Sequence, residues 1–210
     1  MPLCCITGGG DFAPERLPVR EPDDLFIAAD SGYLALKNAG VVPDLCVGDF
    51  DSMEAVPTDC PVVRLPVRKD DTDIVAAARI GLSRGYRRFL FLGTLGGGRF
   101  SHSMATVQTL AWLAEQGAEA TAADGRCTAT VLKDGAVDFP AGERGSLSLF
   151  ALSETARVTL RGFLYPLEEA EVRSTFPLGV SNAFTSGPAH IAVKGTALLV
   201  REENIVPHRG

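Results

Sequence analysis

Cysteine is too sparse and too unevenly placed to build this fold. The five cysteines (Cys4, Cys5, Cys46, Cys60, Cys127) are odd in number and none stands in a Cys-x-x-Cys pair, so neither a disulfide framework nor a zinc site is expected. Cys4, Cys5 and Cys46 lie inside apolar runs and are expected to pack as small hydrophobes. Basic charge is short as well. Twenty Lys and Arg against 26 Asp and Glu leave a net charge of −6, which excludes a general electrostatic grip on nucleic acid or anionic lipid. A polyphosphate ligand would then need a metal cation as mediator. No apolar run approaches the ~18 residues of a membrane span, and the opening MPLCCITGGGDF has no basic stretch of the kind that begins an export signal. A soluble, cytoplasmic protein is expected. Internal repeats are missing, the longest charge block is Arg68-Lys69-Asp70-Asp71, and no Ser-His-Asp order or Cys-His pair speaks for covalent catalysis.

What the chain does have is apolar material and turns. With 210 residues, 46% of them hydrophobic, one to two domains can bury real cores, and 22 glycines with 13 prolines imply a loop-rich fold. In the first half, apolar runs at 3–6, 25–29, 45–47 and 89–92 lack polar alternation and predict buried parallel strands. Helical patterns over 33–39, 72–84 and 101–116 stop at Gly40, Gly85 and Gly117. Strand and helix in alternation predict a Rossmann-like, doubly wound α/β domain over residues 1–123. Beyond Asp124 the period changes to two at 146–150, 156–160 and 190–194, so 124–210 is expected to form a small antiparallel β-sandwich. Gly195-Thr196 fits a two-residue hairpin turn between two of its strands.

In an open parallel sheet ligands bind beyond the carboxyl ends of the strands, and there the sequence carries carboxylates and glycines. Asp30-Ser31-Gly32 follows one strand, Gly48-Asp49-Phe50-Asp51-Ser52 another, and Lys69-Asp70-Asp71-Thr72-Asp73 opens a helix. Asp49 and Asp51, two apart in an extended segment, point the same way, and Asp70 and Asp73 flank the helix start. Such a gathering of acids calls for Mg²⁺, a hard cation that bridges triphosphate oxygens. Each acid also has a plainer reading: Asp71 or Asp73 as a helix-start residue, Asp30 as a turn former. An Asp-x-Asp directly after a buried strand has little packing use.

Two glycine clusters accompany the acids. Gly93-Thr94-Leu95-Gly96-Gly97-Gly98-Arg99 sits between strand and helix, where backbone N–H groups and a guanidinium would meet phosphate. It is not a Walker A loop, because Arg99 and Phe100 stand where Lys and Ser/Thr belong. Ile6-Thr7-Gly8-Gly9-Gly10-Asp11-Phe12-Ala13 satisfies G-x-G-x-x-A, but Pro14, Pro18 and Pro22 forbid the helix a dinucleotide fingerprint requires; it reads as an open loop facing a nucleotide. His102 serves either a phosphate or a solvated first turn, Trp112 is expected in the core, and Tyr165 is either an edge packer or a ligand contact.

The series Asp30-Ser31-Gly32, Pro43-Asp44, Gly48-Asp49-Phe50-Asp51-Ser52, Asp70-x-Thr72-Asp73, Gly97-Gly98-Arg99-x-x-His102, Gly162-x-x-Tyr165-Pro166-Leu167 and Val180-Ser181-Asn182-x-Phe184 resembles the thiamine pyrophosphokinase family across nearly the whole chain. The resemblance implies an ATP-binding α/β domain, a thiamine-binding and dimerising β-sandwich, a homodimer, and transfer of the pyrophosphoryl group of ATP to the thiamine hydroxyl with release of AMP. By the same resemblance Asp49, Asp51, Asp70 and Asp73 hold Mg²⁺. Asp30, Gly97, Gly98, Arg99 and His102 bind the nucleotide, and Asp51, Asp73 and Arg99 carry catalysis. Ser181 and Asn182 contribute to the thiamine pocket. Which acid takes the hydroxyl proton stays open, with Asp73 favoured. The chain departs from the family pattern at Ser101, Thr106 and Ala183, where Asp, Asn and Glu are usual. Transfer to a different small alcohol, or binding of ATP and thiamine without catalysis, are the alternatives.

Overall fold

The computed structural model describes residues 1–51, 53, 55–66, 71–96 and 98–203, and the chain separates into two units, Met1–Gly125 and Arg126–Gly210. In the first unit the unalternated apolar runs become strands buried at every position: β1 (Leu3–Thr7), β2 (Leu25–Ala29) and β3 (Leu45–Gly48). With β4 (Val62–Arg64), β5 (Arg88–Leu92) and β6 (Glu119–Asp124) they form a sheet in the order β4-β3-β2-β1-β5-β6, every pair parallel. Three helices connect them: α1 (Gly32–Asn38), α2 (Asp73–Ser83) and α3 (Phe100–Glu115). The Thr72 hydroxyl caps α2 by accepting the Val75 N–H at 3.3 Å, which satisfies one of the first-turn donors that a helix leaves open. The proline-spaced stretch after β1 forms only a single 3-10 turn, Pro14–Arg16.

Packing in this unit follows from small residues between large ones. A Cβ at Gly81 would stand 2.7 Å from the Phe89 ring and 2.8 Å from Cys4 Sγ, so only glycine lets α2 lie this close to the sheet. Phe26, Phe91, Ile6 and Ile27 are fully buried, each contributing ~1.5–3 kcal/mol of transfer free energy. Cys4, Cys5 and Cys46 have no exposure, and burial pushes the Cys5 thiol up to about 12, so it packs as a hydrophobe and not as a nucleophile. Trp112 differs from expectation. It is half-buried, and the Arg79 guanidinium lies 5.3 Å over its ring, so its outer face is covered by a cation and not by core.

The second unit is antiparallel, and no helix occurs among its described residues. Its strands are β7 (Cys127–Phe139), β8 (Ser146–Ala151), β9 (Thr155–Arg161), β10 (Leu167–Arg173), β11 (Asn182–Ala183) and β12 (Ala189–Glu202). β12 pairs with β7 along its length, with β9 through its first half and with β8 through its second. Inward-facing Leu147, Leu149, Val158, Leu160, Ile191 and Val193 share one core. Gly195-Thr196 is not a hairpin turn. The ladder shifts register between Val193 and Thr196 while the strand runs on, so the glycine marks a bulge. Gly195 sits at φ +104°, its N–H donating to Asp134 Oδ1 at 2.8 Å, and Asp134 itself lies at φ +45°. The bulge falls between the part of β12 that pairs with β9 and the part that pairs with β8.

Candidate active site

β1 and β5 are neighbours in the sheet, yet the chain leaves β1 toward β2 and returns to β5 from the far side, so a crevice opens beyond their carboxyl ends. Two glycine loops meet there. Gly8 N–H donates to the Leu92 carbonyl and Gly10 N–H to the Gly93 carbonyl, each at 2.8 Å. A Cβ on Gly8 would stand 2.8 Å from the Gly93 oxygen, and one on Gly93, at φ +64°, would stand 2.5 Å from the Gly8 oxygen. The loops therefore pack backbone on backbone, and together they wall a cavity of about 350 Å³. Asp11, Asp30, Asp73, Gly98, Arg99 and His102 also line it.

The carboxylates come from three elements. Asp30 follows β2 at φ +49°, its N–H tied to the Val47 carbonyl at 2.9 Å. Asp73 opens α2 beneath the Thr72 cap. Asp49 and Asp51 follow β3, but not in the extended segment their spacing suggests. Phe50 between them buries its ring against Ala28, Tyr33, Leu36 and Cys46 and takes φ +60° to do so, so the backbone turns and the Asp51 N–H donates to Asp49 Oδ1 at 3.2 Å. The Asp51 carboxyl is held above the ordinary carboxylate range by the Asp49 charge first, then by its hydrogen bond with Asp49, then by burial, and more weakly by the charges of Asp30 and Asp73. These four acids share one field. Among the described residues no three His, Cys, Asp or Glu side chains close into a ready-made cation cage; Asp70 lies outside those residues.

The loop after β5 is organised differently from its sequence reading. Asp124, at the end of β6, is buried and accepts the N–H groups of Gly93, Thr94 and Leu95 at 2.5, 3.0 and 2.7 Å. These three amides point inward at a carboxylate and are not available to a phosphate. Burial raises the Asp124 carboxyl above its ordinary value, while the three N–H donors pull it back. On its other side the loop is held by the buried Thr106 hydroxyl, 3.0 Å from the carbonyls of both Thr94 and His102. Gly98 and the exposed Arg99 and His102 then follow at the start of α3; Gly97 lies outside the described residues. Neither Asp124 nor Asp11 was singled out by the sequence reading. The signal for Asp124 was present, since it closes the apolar run Ala122-Ala123 as Asp30 closes Ala28-Ala29.

In the second unit Asn182 is buried and both ends of its amide are engaged, Oδ1 accepting the Tyr165 N–H at 2.9 Å and Nδ2 donating to the Tyr165 carbonyl at 2.7 Å. Ser181, at φ +55°, donates its N–H to the Ser148 hydroxyl at 3.0 Å. The clasp fixes the turn that leaves the Tyr165 side chain exposed.

Residues 19–122 match the family model described as thiamin pyrophosphokinase, catalytic domain, and residues 137–198 match that described as thiamin pyrophosphokinase, vitamin B1 binding domain. The thiamine pyrophosphokinase of Bacillus subtilis (strain 168) is 25% identical over 207 residues, which cover 93% of this chain and 96% of that protein. The crystal structure of the thiamin pyrophosphokinase from Geobacillus thermodenitrificans is 26% identical with a TM-score of 0.81, covering 97% of this chain and 98% of that one. The crystal structure of thiamine pyrophosphokinase from Bacillus subtilis, at 24% identity, has the same fold with a TM-score of 0.83 over 97% of this chain and all of that one. With both family models matched in succession over most of its length, the chain belongs to the thiamin pyrophosphokinase family.

Proposed function

We propose that the enzyme binds ATP in the cavity at the β1/β5 crevice and transfers its pyrophosphoryl group to the thiamine hydroxyl, releasing AMP. The observation that carries this reading is one cavity whose lining brings acids from the end of β2 and the start of α2 together with Arg99 and His102. Asp30 and Asp73 contribute to its lining, with Asp49 and Asp51 acting through the shared field, while Arg99 and His102 arrive from α3. A cation-bound triphosphate has both kinds of charge to satisfy.

The donor set fits Mg²⁺. Its oxygens are hard, the acids repel one another strongly enough to raise Asp51, and Mg²⁺ takes only one or two carboxylates besides water and phosphate oxygens, so no closed protein cage is needed. Asp49, Asp51, Asp70 and Asp73 would hold it between them, one or two in direct contact and the others through its waters. When bound, it neutralises charge on the transferring phosphate oxygens. The rest is positioning and electrostatics. Asp30, Gly97, Gly98 and His102 seat the nucleotide. Arg99 stabilises the charge that grows as the bond to AMP breaks, and Asp73 is the favoured acceptor of the hydroxyl proton. Asp51 is required for the charge balance of the site.

On the same reading, residues 1–123 form a Rossmann-like nucleotide domain and residues 124–210 a β-sandwich that binds thiamine and dimerises. Ser181 and Asn182 serve the thiamine side, Asn182 by fixing the Tyr165 turn. Exposed apolar side chains at Leu164, Tyr165, Phe176 and Val180 support an interface with a second copy. The enzyme acts in the cytoplasm. Incubation with ATP, Mg²⁺ and thiamine followed by chromatography of the nucleotides tests the proposal. Equal amounts of AMP and thiamine diphosphate are expected. ADP in place of AMP makes it a simple kinase, and folded protein without turnover of thiamine removes thiamine as the acceptor.

A further inference from the structure

We infer that Asp124 is a positioning residue of the nucleotide site, an internal anion that sets which backbone amides of the β5–α3 loop are offered to ATP; the inference rests on the nucleotide reading of the cavity. Consecutive backbone N–H groups turned toward one point form a concavity that ordinarily takes an external anion. Here the concavity of Gly93, Thr94 and Leu95 is filled by a buried carboxylate of the protein itself. Two consequences follow. The first three amides of the loop are consumed, so phosphate is directed to the amides that come later, around Gly98 and the first turn of α3, where Arg99 and His102 stand. A fixed negative charge also lies beneath the front of the loop and opposes phosphate sliding toward β5. The Thr106 hydroxyl completes the arrangement by holding the Thr94 carbonyl from the α3 side at 3.0 Å, so the loop is gripped at its N–H groups by β6 and at a carbonyl by α3.

Asp124→Asn is the direct probe. It keeps the shape but replaces one acceptor with an NH₂ donor aimed at N–H groups, which the loop relieves only by moving. The measurements are calorimetric titration with Mg-ATP and steady-state kinetics on protein shown to be folded by circular dichroism. Kd and KM for Mg-ATP are expected to rise about tenfold or more, the scale of one buried donor left without its acceptor, while KM for thiamine stays within about twofold. A role confined to stability would lower apparent kcat through loss of folded enzyme and leave both KM values alone; that result overturns the inference. If Asp124→Asn does not fold, Thr106→Val releases the loop from the other side without changing side-chain shape. A several-fold rise in Kd for Mg-ATP is then expected, and an unchanged Kd again overturns the inference. Wild-type enzyme that fails to bind Mg-ATP overturns the nucleotide reading itself, whereas tight wild-type binding matched by the Asn variant overturns only the role of Asp124.

Discussion

The two units spend their polar side chains in opposite ways. In the second, the motif residues are consumed by their own backbone: Asn182 clasps Tyr165 at both ends, the Ser148 hydroxyl takes the Ser181 N–H, and Asp134 takes the Gly195 N–H. In the first, the acids after β2 and β3 and at the start of α2 are turned on one another, so that Asp51 is raised by three other carboxylates. Satisfied groups stiffen a surface. Opposed charges destabilise the empty protein and are relieved by a ligand, and this is how a binding site is told from a scaffold of similar composition.

Substitutions that sharpen the contrast should separate activity from stability. Asp51→Asn should lower turnover by ~10²-fold or more, the usual cost of losing a preorganised charged group, while the melting temperature holds or rises because a repulsion is removed. A turnover assay beside a thermal melt checks it; a fall in both would place Asp51 with the scaffold residues. Asn182→Ala should act first on stability. Two backbone groups of Tyr165 lose their partners, costing ~1–3 kcal/mol in denaturant unfolding, with Mg-ATP affinity in the first unit unchanged. Gly195→Ala should cost ~1–3 kcal/mol through its φ of +104° and a Cβ 2.9 Å from Ser153 Oγ, again without touching Mg-ATP binding.

The smallest effect is in pH. Because the Asp51 carboxyl is raised in the folded protein, the folded state holds that proton more tightly than the unfolded one, and stability falls as pH rises from the ordinary Asp range through the raised value. The advantage of Asp51→Asn in melting temperature should therefore vanish below about pH 4 and grow above it. It should shrink in high salt, since Asp51 is exposed and screened.

Much of the fold was legible because it depends on local pattern. Runs such as Leu25–Ala29 have no polar alternation, as a strand covered on both faces requires, and α1, α2 and α3 stop next to glycines of positive φ. What escaped depends on partners far along the chain. Gly195-Thr196 has the local signature of a hairpin, and only Asp134, 61 residues away, makes it a bulge. The turn at Phe50 follows from a ring entering a core built by other elements. Asp124 finds its donors about 30 residues earlier, a pairing no dipeptide signal contains. The acids themselves were readable one by one; their mutual field was not, because it depends on where β2, β3 and α2 end in space.

The central claim, that carboxylates from three elements act as one group on the phosphates of a cation-bound nucleotide, is tested most directly by ATP affinity with and without Mg²⁺ in the wild type and in Asp51→Asn. Mg²⁺ should tighten binding by about tenfold or more in the wild type, a gain of ~1.4 kcal/mol, and that gain should be lost in the variant. Equal affinity with and without the cation in the wild type, or an undiminished gain in Asp51→Asn, would contradict the claim.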